Sequence, residues 1–155
     1  VGIGYLALSV NTTGASTTAI GYRALGANTT GTSSTAIGFN AGRINTTGQR
    51  LTFLGYNAGY TGTTDGLTNA TAIGYNAQVT ASNSLILGGT GSDAVNVGIG
   101  TTSPWGVLSV EMTTTNPSFV VSNNGSSTPS FYIGGVNQNG NIGIGTTTPS
   151  EKLTL

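Results

Sequence analysis

The apolar positions of residues 1–89 recur in short phrases rather than long runs. Each phrase joins an aliphatic residue, a glycine and an aromatic: Ile3-Gly4-Tyr5, Ile20-Gly21-Tyr22, Ile37-Gly38-Phe39, Leu54-Gly55-Tyr56 and Ile73-Gly74-Tyr75. From Gly4 the glycine position advances by 17 three times, then by 19 to Gly74 and by 14 to Gly88 in Leu87-Gly88. Two positions after each aromatic sits an alanine: Ala7, Ala24, Ala41, Ala58 and Ala77. Ile20, Tyr22 and Ala24 alternate with Gly21 and Arg23, the period of two that marks a strand. Between the early phrases lies Asn11-Thr12-Thr13-Gly14, which returns from Asn28 to Gly31 and from Asn45 to Gly48. This is turn chemistry, because Asn bonds its own backbone and Gly tolerates positive φ. No stretch holds apolar residues at helical spacing for three turns, and glycine recurs too often for a helix interior.

One such unit cannot fold alone. Ordering its backbone costs more than burying one aliphatic and one aromatic side chain returns. The balance closes when coils stack, so that each strand is paired above and below. The pattern therefore predicts an all-β chain: a parallel β-roll or β-solenoid of 17-residue coils over residues 1–89. Stacking places equivalent residues in columns. Thr18, Thr35, Thr52 and Thr71 form one, and Asn40, Asn57 and Asn76 form another with the makings of an amide ladder. The aromatic column is large for so narrow a coil, which points it at a neighbouring chain.

Residues 90–155 carry a different period and read as a second, β-rich shaft segment. Asn96-Val97-Gly98-Ile99-Gly100-Thr101-Thr102-Ser103-Pro104 returns as Asn141-Ile142-Gly143-Ile144-Gly145-Thr146-Thr147-Thr148-Pro149, an offset of 45. Leu108 aligns with Leu153 and Val110 with Leu155. Between the copies lie the β-rich runs Ser118–Val121 and Ser130–Ile133. Both ends read as cut from a longer repetitive chain.

Composition narrows the chemistry. Glycine supplies 26 of the 155 residues, well above the usual ~7%. With no Cys and no His, zinc-finger, disulfide, haem, imidazole-base and thiol chemistry are excluded. Four cations against four anions leave no electrostatic footprint for nucleic acid. The apolar runs are too short to span a bilayer as a helix. No cofactor is implied.

The Thr-Ala-Ile-Gly-Tyr-Asn-Ala phrase with its Asn-Thr-Thr-Gly spacers resembles the head repeats of YadA-like trimeric autotransporter adhesins. The resemblance covers residues 1–89 and implies a left-handed parallel β-roll with three chains packed side by side. The family's repeat is shorter than the prevailing period here, and only the last step, from Gly74 to Gly88, is as short. The Val-Gly-Ile-Gly-Thr-Thr-Ser-Pro block resembles the shafts of phage tail fibres and other repetitive bacterial surface proteins.

The candidate sites each have a structural reading beside the functional one. Asp65, Asp93, Glu111 and Glu151 are turn and surface residues, unless two of them meet across chains as a glycosidase pair. Gly88 to Asn96 fits a single copy of a nonapeptide calcium-binding pattern, with Asp93 as the metal candidate. Sequons at Asn11, Asn28, Asn45, Asn69 and Asn124 are candidate glycosylation sites. Arg23, Arg43 and Arg50 cap or bridge columns at the solvent face, or bind an anionic surface glycan. Gly98-Ile99-Gly100 and its copy read as glycine alternating with buried isoleucine. Trp105 reads as a packing plug, with a sugar-stacking platform as the alternative. Asp65-Gly66 lies in the two-residue insertion between Gly55 and Gly74, a place where a loop projects.

Tandem repetition without a reactive side-chain set points to a structural protein rather than an enzyme. The expectation is an extracellular homotrimeric β-fibre, on a cell surface or virion, with adhesion and end-to-end filament assembly as further roles. A fibre module that binds a receptor or surface glycan is the alternative. An ice-binding solenoid is a remote one.

Overall fold

The structure, a computed structural model, describes residues 1–59, 65–111, 119–121, 130–134 and 140–154. Ser118, Asn124 and Leu155, named above, lie outside these residues. The described chain is all-β with one short 3-10 turn at Gly91–Asp93. It divides into two compact units, Val1–Val95 and Asn96–Leu155.

The first unit is a parallel β-solenoid of five coils. Its six strands are β1 (Gly2–Ile3), β2 (Thr18–Ile20), β3 (Thr35–Ile37), β4 (Gln49–Leu54), β5 (Thr68–Ile73) and β6 (Ser84–Leu87). They lie in one sheet in sequence order. The register is that of the glycine spacing: Ile3, Ile20, Ile37, Leu54, Ile73 and Leu87 pair in succession. The threonine column Thr18, Thr35, Thr52 and Thr71 is likewise in register. The pairing holds through the short last coil, where Ile73 meets Leu87.

The glycine after each strand is fixed by its neighbour in the next coil. Gly21 has φ 129°, and a Cβ there would run into the carbonyl oxygen of Gly38; Gly38 stands in the same relation to Gly55. Only a residue without Cβ lets successive coils approach at this corner. Hydrogen bonding between coils continues around the turns. Gly21 and Arg23 donate their amides to Ile3 and Tyr5 at 2.8 and 2.9 Å, and Leu25 and Ala27 donate to Ala41 and Arg43 at 2.9 and 3.0 Å.

The core of the coil is small. Alanines at 19, 24, 36, 41, 58, 70, 72 and 77 are fully buried, joined by Leu25, Leu51, Phe53 and Val79. The aliphatic residue and the aromatic of each phrase point outward instead. Alternation along β2 places Ile20 opposite Ala19, and the narrow lumen takes the alanine side; Tyr22 lies in the turn beyond the strand, so the period of two expected to run on to Ala24 stops at Ile20, and Ala24 is buried.

Phe53 shows how the lumen is filled. It occupies the position that Ala19, Ala36 and Ala72 hold in neighbouring coils. Across the lumen, Leu8 and Leu25 give way to Gly42 and Gly59, which hold the same place one and two coils further on. A Cβ on Gly42 would meet the Phe53 ring. A large residue from the strand thus replaces a large residue from the turn.

The second unit repeats a smaller device. Strands β7 (Val97–Ile99) and β8 (Leu108–Val110) pair in parallel, Val97 opposite Leu108. Strands β11 (Ile142–Gly143) and β12 (Leu153–Thr154) pair the same way, Ile142 opposite Leu153. The connecting turn is equally reproduced: Ser103 N donates to Thr101 Oγ1 at 3.2 Å and Thr148 N to Thr146 Oγ1 at 3.1 Å. The offset of 45 is therefore a repeat of structure. Antiparallel β9 (Phe119–Val121) and β10 (Phe131–Ile133) join the second copy in a four-stranded sheet ordered β12-β11-β10-β9. Ile99 and Ile144 were expected inside; they are 55% and 45% exposed, since no layer of the described residues packs over them. Trp105, expected as a plug, is 90% exposed. Among the described residues no helix is long and apolar enough to cross a membrane.

Candidate functional site

Three surfaces of the solenoid are built by columns, and each takes its character from the residue type that the column repeats.

The first is apolar. Ile3, Ile20, Ile37, Leu54 and Leu87 are exposed by between 36% (Ile20) and 57% (Ile3), with Ile73 half-buried in the same column. Two residues on, Tyr5, Tyr22, Phe39, Tyr56 and Tyr75 stack ring on ring. Their centroids are 5.6, 4.8, 5.2 and 5.3 Å apart and their planes lie within 14° of parallel. The coil spacing sets this stacking, which is worth about 0.5–1.5 kcal/mol per pair beyond area burial. It leaves the outer edges of the rings in water.

The second surface lies over the Asn-Thr-Thr-Gly turns. Asn28 Nδ2 donates to Asn11 Oδ1 at 2.8 Å and to the Gly31 carbonyl at 3.1 Å. Asn45 Nδ2 donates to Asn28 Oδ1 at 2.9 Å, and Asn45 Oδ1 accepts the Gly48 amide at 3.0 Å. Asn28 and Asn45 are fully buried. This corrects the glycosylation reading of these two residues: their amide nitrogens are committed inside the coil, with no room for a sugar. Asn11 Nδ2 donates to the Gly14 carbonyl at 2.9 Å. Asn69 is exposed and donates to Asn83 Oδ1 at 3.0 Å.

Asp65 ends this column. In the earlier coils the amides of Thr12 and Thr13 share the Thr29 carbonyl, and those of Thr29 and Thr30 share the Thr46 carbonyl. The Asn-Thr-Thr-Gly phrase does not recur in the sequence after Gly48. Thr46 and Thr47 both donate instead to Asp65 Oδ1, at 3.1 Å each, and Gly66 adds its own amide at 3.0 Å. A carboxylate oxygen thus occupies the place of a backbone carbonyl.

The third surface is a groove. The expected amide column supplies one side: Asn40 Nδ2 donates to Asn57 Oδ1 at 3.2 Å. Asn76 Nδ2 donates in the same sense to Asp93 Oδ2 at 2.8 Å, so Asp93 closes this column as Asp65 closes the other. Among the described residues no three His, Cys, Asp or Glu side chains gather to hold a metal ion, at Asp93 or elsewhere. Gln78 Nε2 donates to the Asn57 carbonyl at 3.0 Å. Asn40, Asn57, Asn76, Gln78 and Arg43 border a cavity of about 450 Å³. A second cavity, of about 370 Å³, adjoins it through Arg43 and Ile44 and is bordered by Leu6, Val10, Arg23 and Ala27. Arg23 lies against the Tyr22 ring, 5.6 Å from its centroid. Arg50, the third arginine, is exposed on β4.

Sequence reasoning placed the asparagine ladder at Asn40, Asn57 and Asn76 and read Asn28 and Asn45 as turn residues. The recurrence of the whole Asn-Thr-Thr-Gly phrase at a constant step, first unchanged from Asn11 to Asn28 and again at Asn45, was the available signal for the second ladder.

Residues 13–41 and 68–85 match the YadA head domain repeat, in two copies. The first stretch contains β2 and β3, and the second runs from β5 into the short coil ending at β6. No match was found among curated proteins or among solved structures. These stretches of the solenoid are similar to the head repeats of an adhesin family.

Proposed function

We propose that this chain is a non-catalytic structural protein that forms a homotrimeric adhesive β-fibre outside the cell. One observation carries the reading. Five successive coils present an unbroken double column of aliphatic and aromatic side chains to water, while the lumen is filled mostly by alanine. A soluble monomer seldom exposes a continuous apolar strip of this kind. Three copies that turn their strips toward a common axis bury them and supply the core that one thin coil lacks. The two stretches similar to YadA head repeats support the same arrangement and an adhesive role. The second unit, with its parallel repeat at Val97 and Ile142, fits a shaft segment, and display on a cell surface or virion and end-to-end filament growth belong to the same reading.

The test is the solution mass of the full chain, by light scattering or sedimentation. A mass three times that of the 15.4 kDa chain supports the proposal. A folded monomer that stays monomeric at high concentration overturns it.

A further inference from the structure

The groove on the third surface combines three features that the trimer reading does not use. Arg23 and Arg43 both border the cavity of about 370 Å³, and among the described residues neither has a carboxylate partner. The acidic side chains of this unit, Asp65 and Asp93, are both engaged in closing columns. The apolar side chains of Val10 and Ile44, both exposed, line the same cavity. On the adjoining cavity Asn57 and Gln78 keep side-chain amide capacity: Asn57 Nδ2 and Gln78 Oε1 have no partner among the described residues.

We propose that this groove binds an acidic glycan, with a carboxylated or sulfated sugar at Arg23 and Arg43 and the hydroxyls of the adjoining sugars at Asn57 and Gln78. Paired guanidinium groups select a planar or tetrahedral anion through charge-assisted hydrogen bonds. Side-chain amides supply the donor and acceptor pairs that hydroxyls need. The exposed side chains of Val10 and Ile44 receive the C–H face of a sugar ring. A peptide is the poorer fit. The coil backbone beneath the groove is already bonded to neighbouring coils, as at Arg23 to Tyr5 and Leu25 to Ala41, and offers no strand edge for a peptide to join. The inference deepens the adhesive reading by naming what is adhered to.

The probes are a sulfated heparin-derived hexasaccharide, a carboxylated hyaluronan hexasaccharide and a neutral dextran-derived oligosaccharide, titrated into the purified full chain. At least one acidic probe binds, its affinity falls with added salt, and the neutral probe does not bind. The double substitution Arg23→Asn with Arg43→Gln weakens the acidic probe about tenfold or more, while circular dichroism and solution mass stay unchanged. Substitution of Gln78→Ala weakens it less and leaves its salt dependence intact. Equal binding of the neutral probe, undiminished binding by the arginine variant, or an oligoglutamate peptide binding as tightly as the sugars would each overturn the proposal. The mass measurement separates the two readings. A monomer that still binds acidic sugars through Arg23 and Arg43 sinks the trimer alone, and a trimer that binds none of the probes sinks the groove alone.

Discussion

At the residue scale, the solenoid corner asks for a left-handed backbone in every coil. Leu6, Arg23, Asn40, Asn57 and Asn76 occupy one column with φ of 58°, 54°, 57°, 51° and 50°. Asparagine takes this conformation with little strain, whereas for other side chains it costs about 1–2 kcal/mol. Asn40 Oδ1 is also buried without a partner, although Asn40 Nδ2 is bonded to Asn57 in the next coil. Arg23→Asn removes the strain and brings an amide donor next to that oxygen. The expected outcome is a gain of about 1 kcal/mol in urea unfolding, more than the ring contact with Tyr22 contributes at an exposed site. A midpoint shifted downward would show that the arginine is held by more than its neighbours account for. Both asparagine columns were visible in the spacing of the chain. Which of them lies in the dry interior was not, because a period of 17 aligns residues between coils without saying which way a turn folds.

At the scale of the element, two devices adapt near-identical coils to local need. Asp65 stands in for the turn carbonyl of the earlier coils, so its acceptor matters more than its charge. Asp65→Ala leaves the Thr46 and Thr47 amides to water, at about 0.5–1.5 kcal/mol per hydrogen bond lost, while Asp65→Asn keeps an oxygen in place. Amide exchange reads the difference: faster exchange at Thr46 and Thr47 in the alanine variant, and near-native exchange in the asparagine variant. Phe53 and Gly42 form the second device. Phe53→Ala opens the lumen and costs about 3–5 kcal/mol, and Gly42→Leu drives a side chain into the ring. Together they restore the leucine-and-alanine pattern of the preceding coil, Leu25 with Ala36, so the double variant should be more stable than either single one. A double variant no better than the worse single would mean that the coils are not interchangeable. The register of the solenoid strands was legible in advance because the corner glycine admits no substitute and so marks the period. The inside of the coil was not. Alternation puts Ile20 and Ala19 on opposite sides, and general hydrophobicity favours Ile20 for the interior, yet the lumen has room only for the smaller residue.

At the scale of the whole molecule, that inversion decides how stability is distributed. A coil lined by alanine buries little apolar area per residue, and backbone pairing between coils carries most of what a single chain has. The larger side chains, from Ile3 to Leu87 and from Tyr5 to Tyr75, stabilise the fold only when something covers them. If three chains cover one another, folding and association are a single equilibrium, and the melting temperature rises with protein concentration. Ile37→Lys places a charge at the middle of the strip without touching the lumen, since Ile37 points outward at the end of β3. In the trimer that charge is desolvated, so the variant should lose the concentration dependence and melt at a lower temperature, while a monomeric solenoid would tolerate it at an exposed site within about 0.5 kcal/mol. A wild-type melting temperature independent of concentration, together with an Ile37→Lys variant of unchanged stability, would mean that the coil stands alone with its apolar strip in water.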